Sequence, residues 1–458
     1  MTKKLKRTMA ALAAAAVTAA GLTACAGPSG GTGAEDDVAP AGTDAEASII
    51  WYGWTPGPPA TDNYIKAFNE MYPNIKVEWK QVDIDGYNAA VRPAIASDSS
   101  PDVYQMSAGS ANGGAVIFGD SALDLTNDVK NLLGDDWRSK FSAVAIDTMT
   151  VNDRLVALAA GMVYAGNLWI NQDIFDKYGL TAPTTLDEWK TVCATLESNG
   201  VGCFVQGVAQ GAFDIDTLHA IAEQVEPGWF DKALTGQAKW TDEQWVQTLE
   251  LWKRLFDEGI MQDGAAGLMQ YPEVNNAFLA QEYAMVMMGT WYTMYVQPET
   301  MKQAMEAAGV ADPVPFTITP IMLPDLVGKG NTGHLFADPD YANGVSAKSK
   351  NVAAAKAFTL WYSARPEGQQ AIADSLNLLP VLSGVTPNWD NIELVNPEVQ
   401  ESAVKDLFEV AESSTSQRFG GISADMNDAL VVTAQSVATG QATPQQAAET
   451  LQSTADSL

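Results

Sequence analysis

The sequence predicts an α/β protein of two domains, and three observations predict it. The chain has 458 residues, more than one hydrophobic core of ordinary size supports, so two domains of roughly 200 residues each is the natural division. Apolar residues make up 47% and charged residues 18%, the balance of a folded chain rather than a disordered one. After the first 47 residues, strand-like runs alternate with helix-like runs, the order of a parallel sheet covered by helices.

The N-terminus comes first. Lys3, Lys4, Lys6 and Arg7 form a basic start, and Met9 to Leu22 is almost wholly Ala, Leu, Val, Thr and Gly. That run is too short to span a bilayer and suits the core of a secretory signal. It ends in Leu22-Thr23-Ala24-Cys25, which resembles a bacterial lipobox. Such a signal is removed and its cysteine acylated, so residues 1–24 are expected to be the leader and Cys25 the lipidated first residue of the mature chain. Residues 25–47, rich in Gly, Ala, Pro, Ser, Thr and acids, have the composition of a flexible tether. No later apolar run is long enough to cross a membrane.

Ser48 to Tyr52 reads as a strand, Asp62 to Tyr72 as a helix ended by Pro73, Ile75 to Trp79 as a strand, Tyr87 to Ala96 as a helix, and Asp102 to Met106 as a strand after Pro101. Leu168 to Ile170 is another strand. Thr185-Leu186-Asp187-Glu188 and Thr241-Asp242-Glu243-Gln244 both read as capping boxes that open helices. The helical spacing of Trp245, Leu249, Trp252 and Phe256 turns those side chains toward a core rather than a ligand. Tyr283 to Met288 reads as a buried strand, and Asn351 to Trp361 and Thr443 to Ala455 read as helices. No internal repeat is present. With Cys25 assigned to the lipid, Cys193 and Cys203 remain as a pair, and outside the cytosol a local disulfide is expected of them.

The composition excludes several functions. The formal net charge is −30, and removal of the leader, with four basic groups and no acids, makes it −34. Such a chain is repelled by nucleic acid. The two histidines, His219 and His334, lie far apart in sequence with no Cys or acid at metal-binding spacing, which leaves a zinc or Ser-His-Asp site poorly supplied. Gly328-Lys329-Gly330-Asn331-Thr332-Gly333 matches a dinucleotide-binding pattern but opens no helix, and Pro324 and Pro339 flank its region, so it reads as a turn. Asp338-Pro339-Asp340 and Asp83-Ile84-Asp85 lack the remaining ligands of a calcium loop. No cofactor, metal or catalytic constellation is expected, and the chain is read as a binding protein rather than an enzyme.

Four stretches, in order, carry a family resemblance. They are Ile50-Trp51-Tyr52-Gly53-Trp54 with Tyr72-Pro73-Asn74-Ile75-Lys76-Val77; Ser100-Pro101-Asp102-Val103; Leu168-Trp169-Ile170-Asn171 followed by Phe175, Gly179-Leu180, Pro183-Thr184 and Trp189; and Tyr283 to Trp291 with its Gly289-Thr290-Trp291 loop. The helix beginning at Asn351, with Pro366-Glu367-Gly368-Gln369, completes the pattern. Together they resemble the solute-binding proteins of ABC importers, of the oligosaccharide and maltose type. Where the family usually has Tyr-Asn, this chain has Ile170-Asn171.

The resemblance implies a two-lobed periplasmic-binding-protein-like fold of type II, with hinge strands and an interlobe ligand cleft. Crossings are expected near Leu158, Ile318 and Arg365, giving one lobe of residues 48–158 with 318–365 and another of 159–317 with 366–458. It implies an extracellular, lipid-anchored monomer that passes an oligosaccharide to a permease. The alternative is the same fold holding a quaternary amine, a polyamine or a peptide.

A sugar ring offers an apolar face for an aromatic side chain and a rim of hydroxyls for polar ones. Of the 13 Trp, Trp54 stands in a Gly- and Pro-rich turn after the first strand, and Trp291 follows a buried strand at the family's sugar-stacking position. The family map adds Gln81 and Asp83 after the second strand, Met106, Ser107 and Asn112 after the third, Gln210, Phe213 and Asp214 in a loop of the second lobe, and Tyr341 and Asn343.

Overall fold

The computed structural model describes residues 46–57, 60–108, 114–209, 211–330, 334–414, 416–419 and 421–458. The expected signal, Cys25, the expected tether up to residue 45, and the candidates Asn112 and Gln210 lie outside the described residues.

Three sheets organise the chain. The first takes β1 (Ala47–Gly53), β2 (Ile75–Gln81), β3 (Val103–Met106), β6 (Leu158–Ala159) and β13 (Ala342–Val345) in the order β2-β1-β3-β13-β6, after a small hairpin of β4 (Thr150–Val151) and β5 (Arg154–Leu155). β1 runs parallel to β2 and β3, and the helices Ala60–Met71 and Tyr87–Ala96 make the crossovers. The second sheet takes β8 (Asn167–Asn171), β9 (Gly202–Val205), β10 (Tyr283–Met287) and β11 (Ile318–Met322) in the order β11-β8-β10-β9. The third, β14-β7-β12-β15, joins β7 (Gly161–Ala165), β12 (Phe336–Pro339), β14 (Leu379–Pro380) and β15 (Ser416–Gln417).

This third sheet is the bridge. The chain leaves the first sheet at β6, passes through β7 and enters the second at β8; it returns from β11 through β12 to β13. The first passage lies between Leu158–Ala159 and Gly161–Ala165. The chain does not cross at Ile318, because Ile318–Met322 pairs antiparallel with Asn167–Asn171 and so stays in the second sheet. The return is made by β12. Nor does the chain change sides at Arg365, because helix Pro366–Ser375 packs on helices Ala60–Met71 and Val352–Ala364 of the first lobe.

Two hydrophobic cores result. In the first, Trp51 meets Phe358 and Tyr362 at ring separations of 5.1 and 5.5 Å. Its indole N–H donates to Asn343 Oδ1 at 2.9 Å. In the second, Trp229, Trp240 and Trp245 pack within 6 Å of one another; Trp252 is buried with them, as the helical spacing of Trp245 and Trp252 implies, and so is Trp189. Each such fully buried side chain contributes roughly 2–3 kcal/mol of transfer free energy.

Thr185 and Glu188 form the expected capping box. The second expected box does not form. Helix Glu243–Asp257 starts one residue later, at Asp242, whose carboxylate accepts from the Lys239 N–H, while the Gln244 amide donates to Glu226. Cys193, near the end of helix Leu186–Ser198, is disulfide-bonded to Cys203 on β9.

Candidate functional site

Two loops at strand ends carry half-buried tryptophans. The first follows β1. Gln105, fully buried on β3, accepts from the Trp54 N–H at 2.9 Å, and the Gln81 amide donates to the Trp54 carbonyl at 3.0 Å. Gly53 is required here, because a Cβ would lie 2.1 Å from the Gln105 amide carbon. The Trp54 ring is held edge-on to Tyr87 at 4.8 Å and to Tyr341 at 6.2 Å. The indole has a rigid seat and keeps an accessible surface.

The second loop follows β10. Thr290 Oγ1 accepts from the Tyr164 N–H at 2.9 Å, and the Trp169 indole donates to the Gly289 carbonyl at 3.0 Å. At Gly289 a Cβ would stand 2.3 Å from the Tyr164 carbonyl oxygen and 2.2 Å from the Trp291 ring, so only glycine lets the indole lie this close. Trp291 packs against both hydrophobic cores. Its N–H donates to the Tyr271 hydroxyl at 3.1 Å, and Phe213 stands 6.1 Å away. The Arg418 guanidinium lies over the ring, 4.7 Å from its centre. Arg418 is itself fixed by a bidentate pair with Asp216, Nε to Oδ1 at 2.8 Å and Nη2 to Oδ2 at 2.5 Å.

Asp340 stands where the first and third sheets meet, directly after β12. Its backbone N–H donates to the Gly161 carbonyl, while its carboxyl accepts no hydrogen bond among the described residues. It interacts electrostatically with Tyr64, Tyr341 and Tyr362 of the first lobe and with Tyr271 and Arg418 beyond the bridge. The residue is half-buried, with protein crowded round its carboxyl. Burial pushes it up from 3.8 to about 6, with Arg418 pulling the other way. Burial also works against the charge on Arg418, but Asp216 at contact, with Asp338 and Asp340 beyond, holds that charge more firmly than usual.

The sequence-derived candidates divide. Trp54 and Tyr341 share one set of ring contacts and Trp291 and Phe213 another, Arg418 lies over Trp291, and Gln81 braces Trp54. Five are placed differently from expectation. Met106 ends β3 rather than entering the loop, and its methyl packs where a Gly344 Cβ would sit. Asn343 is fully buried beneath Trp51. Tyr341 is also buried, its hydroxyl shared with Tyr362 at 2.7 Å, so it backs Trp54 rather than reaching into solvent. Phe213 and Asp214 lie in the first turn of helix Gly211–Val225, not in a loop. The Asp214 carboxyl is fully buried close to the Gln206 side chain, and burial raises it far above the ordinary range, with Gln206 pulling the other way. Asp83 is exposed before a short turn and makes no side-chain cap, and Ser107 follows β3 half-buried.

The two histidines are not far apart in space. His219 Nε2 lies 3.6 Å from Glu223 Oε1, and His334 Nδ1 lies 3.9 Å from Glu223 Oε2. His219 is stacked between Phe230 and Phe336 at 4.2 and 4.0 Å. Among the described residues no three His, Cys, Asp or Glu side chains group to hold a metal, and no helix is long and apolar enough to cross a membrane.

This arrangement, two sheets bridged by a third with aromatic loops at strand ends, is that of a binding protein that takes its ligand between lobes. The chain belongs to the bacterial extracellular solute-binding protein family, whose model matches residues 53–369. It is 24% identical over 297 residues to an uncharacterized ABC transporter extracellular-binding protein of Pyrococcus horikoshii. The match spans 62% of this chain and 64% of that relative's length. Among solved structures, a protein from work on xylan utilization by the thermophilic bacterium Caldanaerobius polysaccharolyticus superimposes with a TM-score of 0.69 at 20% identity, covering 89% of this chain and 99% of that one. The GacH receptor of Streptomyces glaucescens, solved unliganded and with acarbose, gives 0.68 at 18%, covering 90% and 98%. The maltose-bound MalE3 of T. maritima gives 0.67 at 17%, covering 90% and 100%. These likenesses establish the two-lobed periplasmic-binding-protein-like fold.

Proposed function

We propose that this protein captures an oligosaccharide between its lobes and delivers it to an ABC permease, without chemical change to the sugar. One observation carries the reading. Two half-buried indoles stand at strand ends, Trp54 against Tyr341 and Trp291 beneath Arg418, with Asp340 in electrostatic interaction with both Tyr341 and Arg418; on this reading they line one interlobe cleft with apolar faces and polar groups together. A sugar needs that mixture. The solved structures it resembles include proteins recorded with maltose and with acarbose. A cationic ligand fits less well, because Arg418 already occupies the Trp291 face that a cation would seek. The basic leader and the Leu22-to-Cys25 sequence support secretion and lipid anchoring at the outer face of the cell membrane, with the folded part acting as a monomer.

The test is calorimetric titration of residues 26–458 with a panel of oligosaccharides. Saturable binding is expected, weakened roughly 5- to 150-fold in Trp54→Ala and Trp291→Ala, the equivalent of about 1–3 kcal/mol for a large aromatic surface. Folded protein that binds no sugar, or variants that bind like wild type, would overturn the reading.

A further inference from the structure

We propose that Asn199 is a site of self-modification: its side-chain amide is lost to attack by the backbone nitrogen of Gly200, at a rate governed by the turn that the Cys193–Cys203 disulfide closes. The turn precedes β9, which pairs with β10 from Tyr283 onward, so it lies at the opposite end of that strand pair from Trp291. The inference does not rest on the sugar reading.

The chemistry needs an asparagine followed by a residue with no side chain. A bond forms between Gly200 N and Asn199 Cγ, and the Cγ–Nδ2 bond breaks. Ammonia leaves, carrying the proton of the attacking N–H, and a cyclic imide remains. Water then opens the imide at either carbonyl. One opening gives aspartate; the other gives isoaspartate, in which the main chain runs through the side-chain carbon. No oxidant, metal or second protein enters, and a Cβ on the attacking residue would hinder the approach.

The sequence holds three Asn-Gly pairs, Asn112-Gly113, Asn199-Gly200 and Asn343-Gly344. The first lies outside the described residues. Asn343 is fully buried in β13, and its Oδ1 accepts from the Trp51 indole at 2.9 Å, so neither water nor rotation is available to it. Asn199 and Gly200 are both exposed. Gly200 has a φ of +76°, a conformation that glycine adopts freely, and a Cβ placed there would touch nothing. Water and space are therefore at hand.

The native turn slows the reaction. The Gly200 N–H donates to the Glu197 carbonyl at 2.9 Å. The Asn199 amide donates to the Thr195 carbonyl at 2.8 Å and to Ser198 Oγ at 3.3 Å. Nucleophile and leaving group are thus both committed elsewhere, and both must let go before attack. Giving up two such bonds slows the folded protein roughly 5- to 150-fold relative to a free peptide. The two ends of the turn are pinned. Leu196 and Cys193 are buried on one side, and the disulfide ties Cys193 to Cys203 on the other. The Gly202 N–H donates to the Glu282 carbonyl at 2.9 Å, and a Gly202 Cβ would stand 2.4 Å from the Tyr283 ring. Without the disulfide, strand pairing alone holds the far end, and local opening becomes more frequent.

The product alters the helix it follows. Asn199 is the C-cap of Leu186–Ser198, whose last turn has no basic residue. Its amide gives a donor to Thr195, one of the last four carbonyls that a helix cannot pair for itself. A carboxylate there has no donor to give, and it sets negative charge at the negative end of the helix dipole, two residues from Glu197.

The experiment incubates residues 26–458 at pH 8 beside a synthetic peptide of residues 195–202, and reads conversion at each Asn-Gly pair by peptide mapping with mass spectrometry. Asn199→Gln is the blank. The folded protein is expected to convert at Asn199 roughly 5- to 150-fold more slowly than the peptide, to aspartate and isoaspartate together, with Asn343 intact. Loss of the disulfide is expected to speed conversion at Asn199 about threefold or more, the effect of one hydrogen bond released. It is removed in two ways, by a phosphine reductant and in Cys193→Ser with Cys203→Ser, each checked for a cooperative melting curve. Asn199→Asp is expected to melt roughly 1–3 °C below wild type. If Asn199 stays intact for more than about 150 peptide half-lives, there is no such site. If it converts as fast as the peptide, or no faster once the disulfide is gone from folded protein, the turn does not govern it and the proposal falls.

Discussion

Asp340 makes a prediction that needs no ligand. Its folded-state value near 6 lies above the ordinary 3.8, so the native chain holds this proton more tightly than the unfolded chain does. The native state is therefore disfavoured by this group above pH 6 and relieved as pH falls through 6 toward 4. Asp340→Asn is expected to raise stability at pH 7.5 by about 1–2 kcal/mol, less than the full shift implies because the group is partly exposed. The gain in melting temperature over wild type should vanish near pH 4. Trp245 is the contrasting residue. Fully buried against Trp229 and Trp240, it should lose roughly 3–5 kcal/mol of stability as Ala with sugar affinity nearly intact; the opposite pattern would move it from core to site. Trp54 stood out in sequence because an indole in a Gly- and Pro-rich turn has no helical neighbours to pack on, and Trp291 because the family resemblance places a sugar-stacking aromatic there. Arg418 and Tyr271 carried no such mark. They reach Trp291 only through tertiary pairing, and nothing in the short runs around them separates them from any other arginine or tyrosine. Asp340 was visible as half of an Asp-Pro-Asp set, but only as an unsuitable calcium ligand, because its tyrosine shell comes from four separate segments.

At the scale of elements, the helix Leu186–Ser198 is secured at both ends. Thr185→Ala should remove its cap at about 1 kcal/mol, read as a lower urea midpoint with an unchanged slope. The Cys193–Cys203 bond ties its second half to β9. Residues 26–458 should show no reactive thiol in denaturant until reduced and two afterwards, and reduction should lower stability by about 2–3 kcal/mol for so short a loop. Elements with strong local patterns were legible. The strand at Ala47–Gly53 and the helix at Tyr87–Ala96 fall within a residue or so of their expected bounds. The bridge was not. β12, β14 and β15 are two to four residues long, two of them contain proline, and their pairing partners lie far away in sequence, so no period reveals them. The missed cap at Thr241 has a similar origin, since tertiary partners claim Asp242 and Gln244.

At the scale of the whole molecule, the bridging sheet and the crevice beside it favour hinge motion about a few short strands. A saturating sugar that binds wild type should lower the radius of gyration measured by small-angle scattering, and Trp291→Ala, with its weaker grip, should need proportionately more sugar to reach the same compact state. The bridge has one more consequence. β3 obtains its outer neighbour from β13, whose residues Ala342–Val345 are made long after Val103–Met106. A nascent chain stalled at residue 300 therefore cannot close its first sheet, however long it waits, and exposes an edge at β3 in the meantime. A chain with this threading cannot complete its first lobe until about three quarters of it has been made, and an uncompleted fold is the condition in which a polypeptide can still be passed lengthwise through a narrow secretory pore.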